Sequence, residues 1–569
     1  MNSLLLLIIG LAILAFGYLV YSKFLSGRVF RLDPAHRTPA HEFEDGVDYM
    51  PTNKFVLWGH HFTSVAGAAP IVGPAVAVIW GWVPAFLWVT LGTVFFAGMH
   101  DFGALWASQR NKGKSMGSLA ERYIGKRGSY LFLVVMFVLL VMVIGAFAVV
   151  IKNLLIGTPT AVIPAWGAIP VAVLVGLAVY KLKWNLGLVT VLGVVALYAL
   201  ILIGDANPIV IPESGILGMA PGTFWIVTLL VYSTIASLLP VWVLLQPRDY
   251  INGVQLFVGL IILFVSIAIA HPQIVAPAWN STPPEATPSL VPLLFVTIAC
   301  GAISGFHGMV SSGTTSKQLD KEPDARFVGY FGSVGEGLLA LGTIISVTAG
   351  FRTLAEWESV YQAFNDGGVN AFIEGGGALV NSGLGLPVGL ASTVLATMAV
   401  LFAATTLDTA FRLFRFVIQE VGETVNVRVN KWVATVIVVV LSCALIFSQG
   451  VDGSGGLAIW PLFGTSNQLL ASLTLGILAV MLIRLKRNPW PALVPLALVF
   501  TMSFWAAIDQ LGSLATAGDW TLLIIDIVII VASVWVAIEA FVAMARARND
   551  DSGDENFPES LPRRDDAKV

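Results

Sequence analysis

The stretch Gly67-Ala-Ala-Pro70-Ile-Val-Gly73-Pro74 interrupts a mostly apolar run, and its reading decides the fold. A proline lacks a backbone N–H and frees the carbonyl four residues before it. Pro70 and Pro74 therefore release the carbonyls of Ala66 and Pro70. Counted at about 1.5 Å per residue from Phe55, Gly67 falls roughly 18 Å along the helix, near the middle of a hydrocarbon layer about 30 Å thick. Unpaired backbone at that depth is tolerated only where it faces protein or a water-filled cavity. Ala66, Gly67, Ala68, Pro70, Gly73 and Pro74 are thus candidate substrate contacts; a packed proline kink is the plainer alternative.

That the surrounding layer is lipid follows from composition. Of 569 residues, 57% are hydrophobic and 11% charged, with a mean hydropathy of +0.84. Soluble domains carry about 25% charged residues, so an aqueous enzyme or scaffold is excluded. The net charge of −3 gives no basic stripe for nucleic acid. Cys300 and Cys443 lie in apolar runs, which rules out a disulfide framework or zinc ribbon. No P-loop pattern, nucleophile–base pair or metal set is evident, and no cofactor is expected.

At about 20 apolar residues per crossing, about fifteen spans are expected. They lie near 3–21, 55–79, 84–105, 130–151, 162–180, 185–203, 223–245, 254–271, 290–312, 328–350, 387–408, 432–448, 457–483, 491–510 and 520–543. The first lacks a basic lead and a small-residue cleavage site, so it reads as a retained helix. Alternating the loops puts every one of the 31 Lys and Arg except Lys152 and Arg352 on one side. By the positive-inside rule that side is cytoplasmic, with the N-terminus outside and the C-terminus inside. The acidic tail 549–569 is expected to be disordered.

The seventh span carries Ser233, Thr234 and Ser237 before Pro240, and it runs opposite to the second. Two interrupted helices of opposite direction are the mark of an inverted repeat around a central site. The expected division is an N-terminal helix and loop (1–54), five-helix repeats at 55–204 and 221–408, and peripheral helices at 409–548. The three hydroxyls join the candidate substrate contacts. Ser311, Ser312, Thr314 and Thr315 in the ninth span are candidate oxygen ligands for a small cation, unless they bond back to their own helix.

Ionisable residues within spans are functional candidates. His61, Asp101, His307 and Glu336 all fall in the cytoplasmic half. Histidine changes charge near neutrality and a desolvated carboxylate takes up a proton more readily, so these four form a candidate proton relay. His60 and His61 point about 100° apart on one helix, which argues against a shared metal. In the loop 38–52, Asp45 and Asp48 are candidate gate residues facing Arg248, Lys317 or Arg326; a solvated acidic loop is the alternative.

The runs Thr38-Pro-Ala-His41-Glu-Phe-Glu-Asp45, Gly59-His-His-Phe62, His100-Asp101-Phe102, Ser311-Ser-Gly-Thr-Thr-Ser-Lys317 and Trp460-Pro-Leu-Phe-Gly464-Thr-Ser-Asn467-Gln468 closely resemble the carbon starvation protein A (CstA) family over nearly the whole chain. The resemblance implies an all-α polytopic protein of the bacterial inner membrane, with a LeuT-like 5+5 inverted-repeat core of the amino acid–polyamine–organocation superfamily. It implies import of pyruvate or short peptides during carbon starvation, and it favours protons over sodium as the coupling ion. A sodium-coupled carrier, or a membrane sensor or channel, is the alternative.

Overall fold

The computed structural model of the protein describes residues 1–364 and 366–549, so the acidic tail beyond Asn549 lies outside the described residues. Among the described residues the backbone is helix and loop, with no strand. In lipid only a helix or a closed barrel pairs its own backbone groups, and this sequence supplies long apolar helices. Twelve are long and apolar enough to cross a membrane; a further span is a pair of helices bent by 44°.

In chain order the helices are α1 (Ser3–Val29), α2 (Lys54–Ala66), α3 (Ala69–Trp80), α4 (Trp82–Arg110), α5 (Lys126–Gly157), α6 (Pro159–Lys181), α7 (Leu186–Ala206), α8 (Pro221–Leu238) and α9 (Leu245–Ala270). Then come α10 (Leu290–Thr297), α11 (Gly305–Gly313), α12 (Arg326–Ala349), α13 (Gly368–Leu384), α14 (Val388–Thr424), α15 (Lys431–Ile446), α16 (Trp460–Arg484), α17 (Trp490–Ala517) and α18 (Trp520–Arg548). The apolar parts of α16 and α12 are 94% and 89% buried against 22% for α7, so the first two are core and the hairpin α6–α7 is rim.

Every expected span coincides with helix; the differences lie in continuity. Pro240 does not break a helix at mid-membrane. Helix α8 ends at Leu238 and α9 starts at Leu245, so the proline sits in the linker between two spans. The second interruption falls instead in the ninth span, where Ile298–Ser304 separates α10 from α11. The two broken spans are antiparallel. Residues before α2 pair with residues after α11 (Thr52 with Leu319), while Gly73 of α3 meets Thr297 at the end of α10.

The segment 352–386, expected as a loop, contains α13, inserted among α3, α9, α12 and α14. Its glycines permit this. A Cβ on Gly375 would lie 2.2 Å from the Ser346 carbonyl oxygen, and one on Gly383 2.4 Å from that of Ser266. At 17 residues and glycine-rich, α13 falls below the length that marks a span.

Glu358 and Glu44 are exposed on the two expected sides. A membrane-impermeant thiol reagent applied outside intact cells is expected to label Glu358→Cys and spare Glu44→Cys. The reverse pattern would invert the topology.

Candidate functional site

The first break is made by Gly67, whose φ of 54° and ψ of −151° lie in a region open essentially to glycine. Pro70 then falls in the first turn of α3, where its missing N–H costs nothing. Ending α2 at Ala66 orphans the last carbonyls of that helix. Thr405 and Thr406 of α14 fill the need: their hydroxyls donate to the Thr63 oxygen (2.8 Å) and the Ser64 oxygen (3.0 Å). Ser64 Oγ also lies 3.0 Å from Thr409 Oγ1.

The second break is held from α16. Asn467 Oδ1 accepts from the Phe306 N–H at 2.9 Å, and its Nδ2 donates to Ser304 Oγ at 2.9 Å. Gln468 Nε2 donates to the Phe295 oxygen at 2.7 Å. One pair of amides thus satisfies both severed ends. The breaks approach each other closely: a Cβ on Gly73 would lie 2.5 Å from the Thr297 oxygen. Beside that contact is a narrow cleft of about 50 Å³, lined by Ala69, Gly73, Thr297, Cys300, Trp460 and Phe463.

Three of the four expected relay residues come together. His307 Nδ1 is 2.9 Å from Asp101 Oδ2, and His307 Nε2 is 3.3 Å from Glu336 Oε1, an ion-pair distance without hydrogen-bond geometry. Asp101 also receives His100 Nδ1 at 2.7 Å and Ser333 Oγ at 2.7 Å. All are buried. The donor atoms of Asp101, His307 and Glu336 lie within 4.8 Å of one another, compact enough to share a proton or a small cation. Helices α4 and α12 each contain a widened turn (Thr93–Ala97 and Arg326–Tyr330) just before their acid, a feature often found at functional sites. His61 is not hydrogen-bonded to these three but lies close enough to interact with the charges of Asp101 and His307; its Nδ1 is 3.0 Å from Thr315 Oγ1 and its ring lies against Gly332.

The remaining sequence candidates disperse. Ser312 bonds back to the Gly308 oxygen, Thr314 faces His60 and Gln318, and Thr315 faces His61, so the four hydroxyls do not converge on one cation. Ser311 Oγ has no hydrogen-bond partner among the described residues. Thr234 and Ser237 bond back to the carbonyls of Leu230 and Thr234. Ser233 donates to Asp408 at 2.6 Å and does not reach the Ala66–Pro74 segment.

Asp408 belongs to a buried network that the sequence candidates enter only at Ser233 and Arg248. Arg248 is ion-paired with both Asp408 and Asp249, and Asp249 Oδ2 lies 2.6 Å from His60 Nδ1. Asn252 and Gln255, further along α9, are buried with no hydrogen-bond partner among the described residues. Arg248 is therefore an internal residue rather than a gate partner. Arg326 is also engaged elsewhere, on Ser22 Oγ and the Tyr18 oxygen of α1.

The 45–52 loop is closed down over this network. Asp48 pairs with Arg412 at 2.7 Å, which the sequence had not singled out. Asp45 Oδ1 accepts from the N–H groups of Val47, Asp48 and Tyr49, shaping its own loop. The Lys317 ammonium sits over the rings of Tyr49 and Phe416. Backbone bonds Met50 N–H to Lys317 O and Val241 N–H to Val47 O complete the seal. Nearby, burial and the Arg110 charge push His36 down to about 4, leaving it neutral at ordinary pH.

Two antiparallel broken helices, a narrow cleft between them, a buried Asp–His–Glu cluster and a sealed face fit a multi-pass membrane transporter, the class to which the chain's relatives belong. The chain belongs to the family described as carbon starvation protein CstA, whose profile matches residues 2–354 and 351–506. It is 32% identical to the peptide transporter CstA of Escherichia coli over 87% of this chain and 79% of that one. It is 30% identical to the pyruvate/proton symporter BtsT of the same organism, over 89% and 81%. A manganese transporter structure from Eremococcus coleocola covers 88% of this chain and 99% of its own at 12% identity, with a TM-score of 0.44, too loose to bear on the fold.

Gly73→Ala is expected to lower stability by about 1–3 kcal/mol, because its methyl group meets a backbone oxygen that has nowhere to go. Gly389→Ala, in α14 with nothing within 4 Å, is the control. Equal melting temperatures for both variants in detergent would refute the close crossing.

Proposed function

We propose that this chain imports a small carboxylated nutrient, pyruvate or a short peptide, by proton symport across the bacterial inner membrane. The observation that carries the reading is the buried Asp101–His307–Glu336 cluster beside two broken helices. A buried carboxylate without a partner is costly; a proton shared between Glu336 and His307 lowers that cost and is the natural cargo of such a cluster. Ala69, at the start of α3, lines the cleft, and the positive end of a half-helix suits a substrate carboxylate. Sodium is less well served: the expected hydroxyls disperse, and the Thr63 and Ser64 carbonyls already accept from Thr405 and Thr406.

The inverted repeat that fits these contacts takes α2–α3, α4, α5, α8 and α9 as its first five spans. Its second five are α10–α11, α12, α14, α15 and α16, with α6–α7 as an inserted hairpin. Under that assignment broken span meets broken span, α4 packs on α12, and α5 runs along α14. Like elements pair in each case. With the basic loops cytoplasmic, the 45–52 loop closes the inward path, and Asp48–Arg412 is the pair that must part for release.

Glu336→Gln in proteoliposomes should abolish pH-driven accumulation of pyruvate or dipeptide yet retain counterflow exchange, since Gln mimics the protonated acid. Concentrative uptake by the variant would remove Glu336 from coupling. Uptake that follows a sodium gradient and ignores pH would remove the proton.

A further inference from the structure

Away from the core, α16, α17 and α18 diverge around a cleft of about 1320 Å³. This exceeds the roughly 300–1,000 Å³ of small-molecule pockets. Its walls are apolar side chains, among them Leu473, Leu496, Phe500 and Met544. Phe541, 71% exposed, and Trp490, 66% exposed, stand on its rim, so the cleft opens laterally. In a bilayer that opening faces acyl chains, and Trp is the residue that favours the headgroup level.

One end of the cleft is basic. Lys486 and Arg487 lie in the turn from α16 to α17, and Arg548 closes the last turn of α18, where Arg546 also lies. Arg487 is anchored on the Phe30 carbonyl, which fixes this corner against the end of α1. Apolar walls with cations gathered at one mouth complement an amphiphile with an anionic head.

We propose that this cleft binds an anionic phospholipid of the cytoplasmic leaflet, with its phosphate at Lys486 and Arg548 and its acyl chains between α16, α17 and α18. The choice of leaflet rests on the orientation given above; the binding does not. Basic pockets between membrane helices bind acidic headgroups in this way. The site borders α16, the helix whose Asn467 and Gln468 hold the second break, so the lipid forms part of the wall behind the transport path.

The test is native mass spectrometry of the full-length protein titrated with phosphatidylglycerol or chain-matched phosphatidylcholine, a readout independent of transport. Phosphatidylglycerol should be retained at least tenfold more tightly. Lys486→Gln with Arg548→Gln should weaken it about 25-fold, at about fivefold per charge, with the melting temperature of lipid-free protein unchanged. Ala537→Trp, which fills the apolar part, should block both lipids. Equal retention of the two lipids, or undiminished phosphatidylglycerol binding by the charge variant, overturns the proposal. A chain ending at Asn549 tests whether the acidic tail is the occupant instead: phosphatidylglycerol binding seen only after truncation also overturns it.

Discussion

In a hydrocarbon layer every backbone N–H and C=O must find a partner within the protein, and this fold is arranged around two places where a helix cannot supply its own. At Gly67 the partners are hydroxyls: Thr405 and Thr406 of α14 cover the carbonyls that α2 leaves open. Between α10 and α11 they are amides, Asn467 and Gln468 of α16. Each break therefore binds a distant helix into the centre. The most buried apolar stretch, in α16, belongs to one of the helices so recruited.

Two buried clusters of titratable residues flank these breaks. One joins α4, α11 and α12 through Asp101, His307 and Glu336. The other joins α2, α9 and α14 through His60, Asp249, Arg248 and Asp408. A buried ion pair is a poor source of net stability, and removing one partner is strongly destabilising. The Arg248 network thus locks α9 to α14 while its members remain charged. Glu336 has no hydrogen-bond donor of good geometry and keeps an option that Arg248 lacks.

How much could be read beforehand depended on whether the cause was local. Gly67 and Pro70 announce the first break because both act through their own backbone. The second break, Ile298–Ser304, contains no proline, and the side chain that caps it, Asn467, lies more than 150 residues away. That polar pair within an apolar helix was the available signal. Pro240 misled because a proline marks a linker as readily as a kink. Asp101, His307 and Glu336 were legible as ionisable groups in apolar spans. Asp408 sat at an expected span end and Asp249 in the expected loop 246–253, where a charge reads as solvated, and only the longer helices α9 and α14 carry them inside. His61 bonds Thr315 instead of the acid cluster, and the cation set disperses, for one reason: spacing along a chain does not say which helix stands opposite.

The crossing at Gly73 and Thr297 has a mechanical meaning. With no side chain between the two backbones, there is nothing soft to compress, so the helices cannot be pushed closer. A smooth glycine surface still lets one turn over the other. The contact acts as a fulcrum. The start of α2 lies about 28 Å from it along the chain at about 1.5 Å per residue, and roughly 26 Å in a straight line once the 44° bend between α2 and α3 is allowed for. A tilt of about 10° at the fulcrum therefore displaces that end by about 5 Å, as much as one turn of helix. Short levers would have needed a large rotation to part Asp48 from Arg412; this one needs a small one.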